Sequence, residues 1–175
     1  IVLDDQGSVE AVVAAERNVA HRIVEECMLL ANETVAAHLE RTGVPALYRI
    51  HEVPDPLKVA TFAEFISTLG YSLPGESSAP APADFQRLVE KIRGKPEEKP
   101  IAFLLLRTMQ KARYDAVNVG HFGLAAEAYT HFTSPIRRYP DLVVHRLLRA
   151  SRLGIGGEER EDLAADLPEI GRHTS

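Results

Sequence analysis

The sequence predicts an α+β fold that is mostly helical, with a few short strands. Apolar residues recur at three- and four-residue steps in several segments longer than ten residues, which is typical of amphipathic helices. The β-favouring runs are short, and turn residues separate them. Because 45% of the 175 residues are hydrophobic, the chain can bury a core, and general disorder is excluded.

The first elements are a hairpin and a long helix. Residues 1–9 place two short β-favouring runs around a polar turn that contains Gly7. Residues 17–42 carry an apolar stripe that includes Ile23 and Val24 and is expected to pack, and Gly43 follows as a helix stop. At 100° per residue, His21, Glu25 and Asn32 lie along one edge of this stripe, whereas Glu26 and Glu33 lie on the opposite side.

The middle of the chain alternates short elements with turns. Residues 44–51 form a β-like run, and Asp55 with Pro56 is an N-cap followed by proline at the first position of a helix that stops at Gly70. Residues 73–82, rich in proline and serine, predict a loop. Further helices are expected at about 84–93 and 101–112.

Composition excludes several classes of protein. The longest apolar run, residues 101–106, is far below the roughly 20 residues that span a membrane, so no membrane partner is expected. The single cysteine, Cys27, has no disulfide partner within the chain, which favours a cytoplasmic location. The chain starts abruptly at Ile1, which indicates a piece of a longer protein.

Charge is distributed unevenly along the chain. The net charge of −5 argues by itself against a nucleic-acid partner. Residues 1–100 carry 10 basic and 16 acidic side chains, residues 101–155 carry 8 and 3, and residues 156–175 carry 2 and 6. The middle segment is therefore a basic island of +5, and because binding follows the local potential, it favours a nucleic-acid partner.

The basic island contains a candidate phosphate site. Tyr129–Thr133 is β-favouring, and both Ser134-Pro135 and Tyr139-Pro140 have the pattern of a helix start. Two helix N-termini would then lie close together with Arg137 and Arg138 between them, a suitable arrangement for binding phosphate. Rings for base stacking come from Tyr129, Phe132 and Tyr139. The alternative interpretation is a solvated arginine pair next to core aromatic residues.

No metal site is predicted. The histidines never show a His-x-x-x-His spacing on one predicted helix, so no zinc site is expected. Glu25 and Glu26 have the ordinary interpretation of surface helix residues, and Asp4-Asp5 that of a turn.

A long motif in the basic island resembles the RNB catalytic domain of the ribonuclease II and ribonuclease R family, most nearly its ribonuclease R branch. The motif comprises His121-Phe122-Gly123-Leu124, Tyr129, the unbroken run from His131 to Asp141, and His145-Arg146. The resemblance continues through Arg17-Asn18, Ala20-His21, residues 24–32, residues 45–51, Leu167-Pro168 and His173-Thr174-Ser175. It therefore covers nearly the whole chain.

The resemblance implies a processive 3′-to-5′ exoribonuclease that acts on single-stranded RNA and releases nucleoside 5′-monophosphates. The family holds Mg²⁺ with a dense aspartate cluster, the arrangement that a two-metal hydrolytic site requires. No such cluster occurs in this sequence. Residues 1–175 are therefore expected to be the C-terminal portion of one RNB domain, without the aspartate cluster, cold-shock domains or S1 domain. Alone, such a chain should bind RNA weakly and not cut it.

The resemblance also assigns roles to residues. Arg137 corresponds to the family's arginine at the scissile phosphate and is the expected catalytic residue. The family's glutamate that contacts the 3′-terminal nucleotide corresponds to Glu25 or Glu26, and the sequence does not decide between them. RNA contacts are expected at Glu25, Glu26, Asn32, His121, Tyr129, Ser134, Arg138 and Tyr139. The alternative is a non-catalytic RNA-binding or scaffold module that keeps the RNB fold.

Overall fold

The computed structural model describes residues 1–12, 18–73, 80–154 and 157–175. The expected helix start at Arg17 and most of the expected loop over 73–82 lie outside these residues. In the described part of the chain, no helix is both long enough and apolar enough to cross a membrane. The elements are β1 (Val2–Leu3), β2 (Val9–Ala11), α1 (Val19–Arg41), β3 (Tyr48–Ile50), α2 (Pro56–Thr68), α3 (Pro82–Ile92), α4 (Glu98–Thr108), β4 (Arg113–Asp115), a 3₁₀ turn (Phe122–Leu124), α5 (Tyr139–Leu153) and α6 (Gly157–Thr174).

The predicted hairpin and first helix are confirmed, but the buried face of the helix differs from the prediction. β1 and β2 pair antiparallel, and Asn18 caps α1 by accepting the backbone N–H of His21 at 3.0 Å. Packing buries the face that carries Asn32, Ala36 and Leu39. The apolar stripe toward the start of α1 was predicted to pack, yet Ile23 and Val24 are more than half exposed.

The first core lies between a two-stranded sheet and three helices. β3 confirms the predicted run over 44–51 and pairs antiparallel with β4, with Tyr48 opposite Asp115 and Ile50 opposite Arg113. The prediction did not include β4, because three residues carry no readable periodicity. Side chains from α1, β3 and the residue before it, β4, α5 and α6 fill this core: Ala36, Leu39, Leu47, Ile50, Tyr114, Val144, Leu147 and Leu167.

The second core is a three-helix unit formed by α2, α3 and α4. Asp55 caps α2 as predicted, with its carboxylate accepting from the N–H of Leu57 at 2.8 Å and Pro56 at the first position. The core members are Phe62, Ile66, Phe85, Leu88, Ile92, Ile101 and Leu105. Phe122 joins the two units. Its ring lies 5.9 Å from the ring of Phe85, measured between centroids, and its backbone N–H donates to His51 O.

The segment before α5 does not contain the predicted strand or the first of the two predicted helix starts. Tyr129–Thr133 is irregular, although Tyr129 O accepts from the N–H of Arg49 at 2.9 Å. Ser134 begins a single turn in which its carbonyl accepts from the N–H groups of Arg137 and Arg138. Extended backbone at Arg138 ends that turn, so only one helix N-terminus, that of α5, is present here.

The last helix, α6, packs against β4 at a glycine. A Cβ atom on Gly171 would lie 2.9 Å from Tyr114 O, closer than carbon and oxygen normally approach. The next turn adds hydrogen bonds, because Ser175 Oγ accepts from the N–H of Tyr114 at 2.8 Å and donates to Gly171 O at 2.7 Å. Gly171 is thus a contact point that only glycine fits.

We predict that Gly171→Ala lowers the free energy of unfolding. Alanine has the higher helix propensity by about 1 kcal/mol, but overpacking a closed contact typically costs about 1–3 kcal/mol, so the clash outweighs the gain. Urea unfolding of the two proteins measures the difference. A stabilised alanine variant would contradict the contact between α6 and β4.

Candidate nucleic-acid interface

A buried carboxylate organises the turn at the start of α5. The Asp141 side chain has no solvent exposure. Its Oδ1 accepts from the N–H of Ser134 at 2.7 Å and from Nη2 of Arg138 at 2.8 Å, and its Oδ2 accepts from Nε of Arg138 at 2.8 Å. These hydrogen bonds raise the pKa of the Arg138 guanidinium above its usual value. The carboxylate therefore joins the first residue of the turn to the residue that follows it.

The turn presents Arg137 to solvent. Its guanidinium Nε donates to Ser134 Oγ at 2.7 Å, which sets the direction of the side chain. Ile136, the preceding residue, is fully exposed at the tip of the turn. No carboxylate among the described residues pairs with Arg137, so its remaining N–H groups are available to a phosphate.

Two long-range hydrogen bonds connect α1 to this segment. Asn32 Nδ2 donates to Tyr129 Oη at 2.9 Å, and Asn32 Oδ1 accepts from the N–H of Phe132 at 3.0 Å. Asn32 is 3% exposed and Tyr129 is 5% exposed. Both residues are predicted to contact RNA, and in this structure both side chains are buried. The amide instead fixes α1 relative to the turn that carries Arg137.

A column of rings lies behind the same segment. Adjacent rings meet edge to face, with centroids 5.1–5.9 Å apart, an arrangement that stabilises aromatic pairs. Tyr114 Oη and His131 Nδ1 are hydrogen-bonded at 2.6 Å, and the guanidinium of Arg49 lies 4.6 Å from the centroid of the Tyr114 ring. The ring order is His51, His121, Tyr129, His131 and Tyr114.

Two histidines in this column are held neutral. Burial, with a smaller contribution from His51, lowers the pKa of His121 to about 4. Burial also lowers the pKa of His131 to about 4, and the nearby Arg138 charge adds to the effect. Nδ1 of His121 is buried without a partner among the described residues. His121 is therefore a neutral imidazole at neutral pH.

Four other residues predicted to contact RNA lie at or near the surface, on α1 and around the start of α5. Glu25 is partly buried and lies two turns before Asn32 on the same face of α1, whereas Glu26 is exposed. Tyr139, two residues after Arg137, is half exposed at the start of α5, so its ring is accessible. Ser134 contributes its hydroxyl to Arg137.

Asp141, Tyr114 and His131 were not among the residues predicted for the site. A signal for Asp141 was present, because Arg-x-x-Asp at the start of a helix has the i,i+3 spacing of an ion pair. No comparable signal exists for Tyr114 and His131, which are 17 residues apart and meet only after the sheet forms.

The described residues do not supply a metal centre. Among them, no group of three or more His, Cys, Asp or Glu side chains could hold an ion. The Mg²⁺ implied by the family resemblance does not fit this part of the chain, because the carboxylate density that such a centre requires is missing.

Comparisons with known proteins agree with the fold and the motif. The profile of the RNB domain matches residues 1–152, and the chain belongs to the RNB domain family. Ribonuclease R of Aquifex aeolicus (strain VF5) is 50% identical over the whole of this chain, which spans 24% of that relative. The expected family and the mostly helical α+β fold are therefore confirmed.

Two solved structures resemble the chain closely. Mycoplasma genitalium RNase R in complex with ribose methylated single-stranded RNA matches with a TM-score of 0.87 and 30% identity, over 99% of this chain and 28% of that one. Yeast Ssd1, a pseudonuclease, matches with a TM-score of 0.74 and 31% identity, over 91% of this chain and 20% of that one. The same fold thus occurs in a ribonuclease and in a pseudonuclease.

We predict that Asp141→Asn destabilises the fold by about 2–4 kcal/mol. The amide loses the negative charge that pairs with Arg138, and breaking a buried pair is costly, although partial exposure of Arg138 reduces the loss. Urea unfolding of the wild-type protein and the variant measures this loss of stability. The matched control is Glu169→Gln, which removes an exposed partner of Arg172 and should change stability by less than about 0.5 kcal/mol. Equal effects would contradict the organising role of Asp141.

We predict that the fold weakens in mild acid. The pKa of His121 and of His131 is about 4 in the folded chain, below the ordinary value of 6.5. The unfolded chain therefore binds more protons between these values, and the free energy of unfolding falls as pH drops from 6.5 toward 4, by at most about 1.4 kcal/mol per pH unit for each histidine.

Urea midpoints measured across this pH window test the prediction. His131→Gln keeps an acceptor for Tyr114 but cannot titrate, so its stability should depend less on pH. His173→Gln, at an exposed position on α6, is the control and should keep the full dependence. A wild-type stability that is flat between pH 6.5 and pH 4 would contradict the prediction.

Proposed function

We propose that this chain is part of a processive 3′-to-5′ exoribonuclease that hydrolyses single-stranded RNA to nucleoside 5′-monophosphates. The observation that carries the proposal is the exposed Arg137 on a turn that the buried Asp141 fixes. The 50% identity with the Aquifex aeolicus relative, named ribonuclease R, supports it. Within such an enzyme, residues 1–175 form the C-terminal portion of the RNB domain.

Arg137 is the proposed catalytic residue. Phosphodiester hydrolysis builds negative charge on the phosphoryl oxygens in the transition state, and a guanidinium already held in place stabilises that charge. The Ser134 hydroxyl holds Nε of Arg137, so the outer N–H groups can approach the scissile phosphate as a fork. Preorganisation matters because an arginine that had to be ordered during the reaction would stabilise the transition state less.

Arg138, Asn32 and Tyr129 act mainly as positioning residues in this proposal. Two nitrogen atoms of Arg138 donate to Asp141, which leaves Nη1 for a neighbouring phosphate. Asn32 and Tyr129 act from beneath the surface by tying α1 to the turn. His121 supports the ring of Tyr129 from the side, at a centroid distance of 5.3 Å.

Two further side chains are proposed to meet the RNA directly. Glu25 is the better candidate for the contact with the 3′-terminal nucleotide, because it shares the face of Asn32 while Glu26 points to solvent on another side. Tyr139 offers a half-exposed ring beside Arg137, and base stacking on such a ring does not depend on sequence.

Magnesium dependence is also part of the proposal, but the described residues contribute no ligands to it. We propose that carboxylates elsewhere in the full-length protein hold the ion, where it would supply Lewis-acid chemistry at the phosphate. The free, exposed thiol of Cys27 supports a reducing, cytoplasmic setting.

A non-catalytic RNA-binding or scaffold module is the second candidate. The likeness to yeast Ssd1, named as a pseudonuclease, favours it. Such a module would keep the fold and bind RNA without releasing nucleotides. Incubating the full-length protein with single-stranded RNA and Mg²⁺ separates the two, because only the enzyme produces 5′-monophosphates.

We predict that Arg137→Ala in the full-length protein lowers the rate at saturating RNA by about 10² or more, with a much smaller loss of affinity, because it removes one preorganised transition-state donor. Single-turnover release of mononucleotides measures the rate, and fluorescence anisotropy measures binding. Arg41→Ala, which removes a charge at the end of α1, is the control. Equal losses of rate and affinity would make Arg137 only a phosphate contact.

A further inference from the structure

Some arginines of the basic island are neutralised by ion pairs with carboxylates. Arg113 pairs with Asp115 and Glu52, and Arg138 pairs with Asp141. Among the described residues, no carboxylate pairs with the three exposed arginines of α5, which are Arg146, Arg149 and Arg152. The basic side chains of the island that no carboxylate pairs with among the described residues are therefore Arg107 and Lys111, Arg137, and the three arginines in the second half of α5.

The arginines of α5 follow one exposed face of the helix. Its buried face carries Asp141, Val144 and Leu147, whereas Arg146, Arg149 and Arg152 are exposed; Arg149 lies opposite the buried face and Arg152 lies at its border. At a rise of 1.5 Å per residue, Arg149 and Arg152 are separated by about 4.5 Å along the axis. Their guanidinium groups thus border the same stretch of surface.

A shallow, open groove of about 380 Å³ lies along this side of α5, and all of its lining residues come from this one helix. It is lined by His145, Leu148, Arg149, Arg152 and Leu153, so it combines two cationic groups with an apolar floor and has no acidic side chain. One end is fixed to the segment before Arg137, because His145 Nε2 bonds to Phe132 O at 2.9 Å and the two rings stack at 4.0 Å.

We propose that this surface, the α5 groove, binds the phosphodiester backbone of single-stranded RNA at a place separate from the phosphate at Arg137. The arginine forks match phosphate oxygens, and the leucine floor accommodates a ribose or base. The hydrogen bond between His145 and Phe132, two residues before Ser134, places one end of the groove next to the segment that leads into the Arg137 turn. This inference rests on the proposed function, since it takes RNA as the ligand of that turn.

The test changes both arginines of the groove in the full-length protein. Arg149→Gln with Arg152→Gln should weaken binding of a fluorescent single-stranded RNA several-fold and should reduce the slope of log K against log salt by about 1.4, since each phosphate contact with a single strand contributes about 0.7. Binding is measured by anisotropy in the presence of a metal chelator, which prevents cleavage. The rate of nucleotide release at saturating RNA should stay the same.

The matched control is Lys91→Gln with Arg93→Gln, the same loss of two charges at the end of α3. If the control loses as much affinity for RNA, the loss depends only on the net charge of the protein, and the proposed groove is wrong. Arg149→Lys with Arg152→Lys should keep most of the salt slope. If the glutamine variant instead has a lower unfolding midpoint and an unchanged salt slope, the two arginines stabilise the C-terminal end of α5 and do not bind RNA. That result would also overturn the proposed groove.

These readouts separate this inference from the proposed function. If the wild-type protein binds RNA but releases no nucleotides, the proposed function fails while the groove is still tested by the salt slope. If the wild-type protein hydrolyses RNA and the variant at Arg149 and Arg152 binds as tightly as before, only the groove is wrong.

Discussion

The Asp141 carboxylate is the constraint on which the rest of the interface depends. A charge without solvent exposure is tolerated only when it is paired and hydrogen-bonded, so Asp141 requires three donors around it. It obtains them from Ser134 and Arg138, which lie on either side of a single turn. Because both ends of the turn are held, Arg137 between them points outward, and α5 begins only after Arg138. One buried group therefore determines the shape of the turn, the start of the helix and the direction of the exposed arginine.

The second requirement is that this turn be fixed relative to α1. Asn32 satisfies it through hydrogen bonds to residues 97 and 100 positions away, and its own burial makes those hydrogen bonds costly to break. The column of rings from His51 to Tyr114 fills the space behind, with its two low-pKa histidines kept neutral. The candidate interface thus combines an outer layer of charge, in Arg137 and the α5 arginines, with an inner layer that positions it, made of the Asp141–Arg138 ion pair and neutral polar groups.

Much of the fold could be read from the sequence, and the errors have physical causes. The cap at Asp55, the long helix over Val19–Arg41 and the helix start at Tyr139-Pro140 depend on neighbouring residues, and all three are present. The helix expected at Ser134-Pro135 ends after a single turn, because the backbone at Arg138 is extended and the side chain of Arg138 is held by Asp141. β4 was not predicted, because three residues are too few to show a strand periodicity. They form a strand only because they pair with β3.

The sequence by itself determined the helical character of the chain, its basic island between two acidic flanks, and the motif that places it in the RNB family. These properties follow from residue type and local spacing. The tertiary structure decided which residues of that motif are available: Arg137 and Tyr139 are exposed, Arg138 pairs with Asp141, and Tyr129 is buried. The reason is that burial and ion pairing depend on contacts between residues far apart in the chain, which local patterns do not encode.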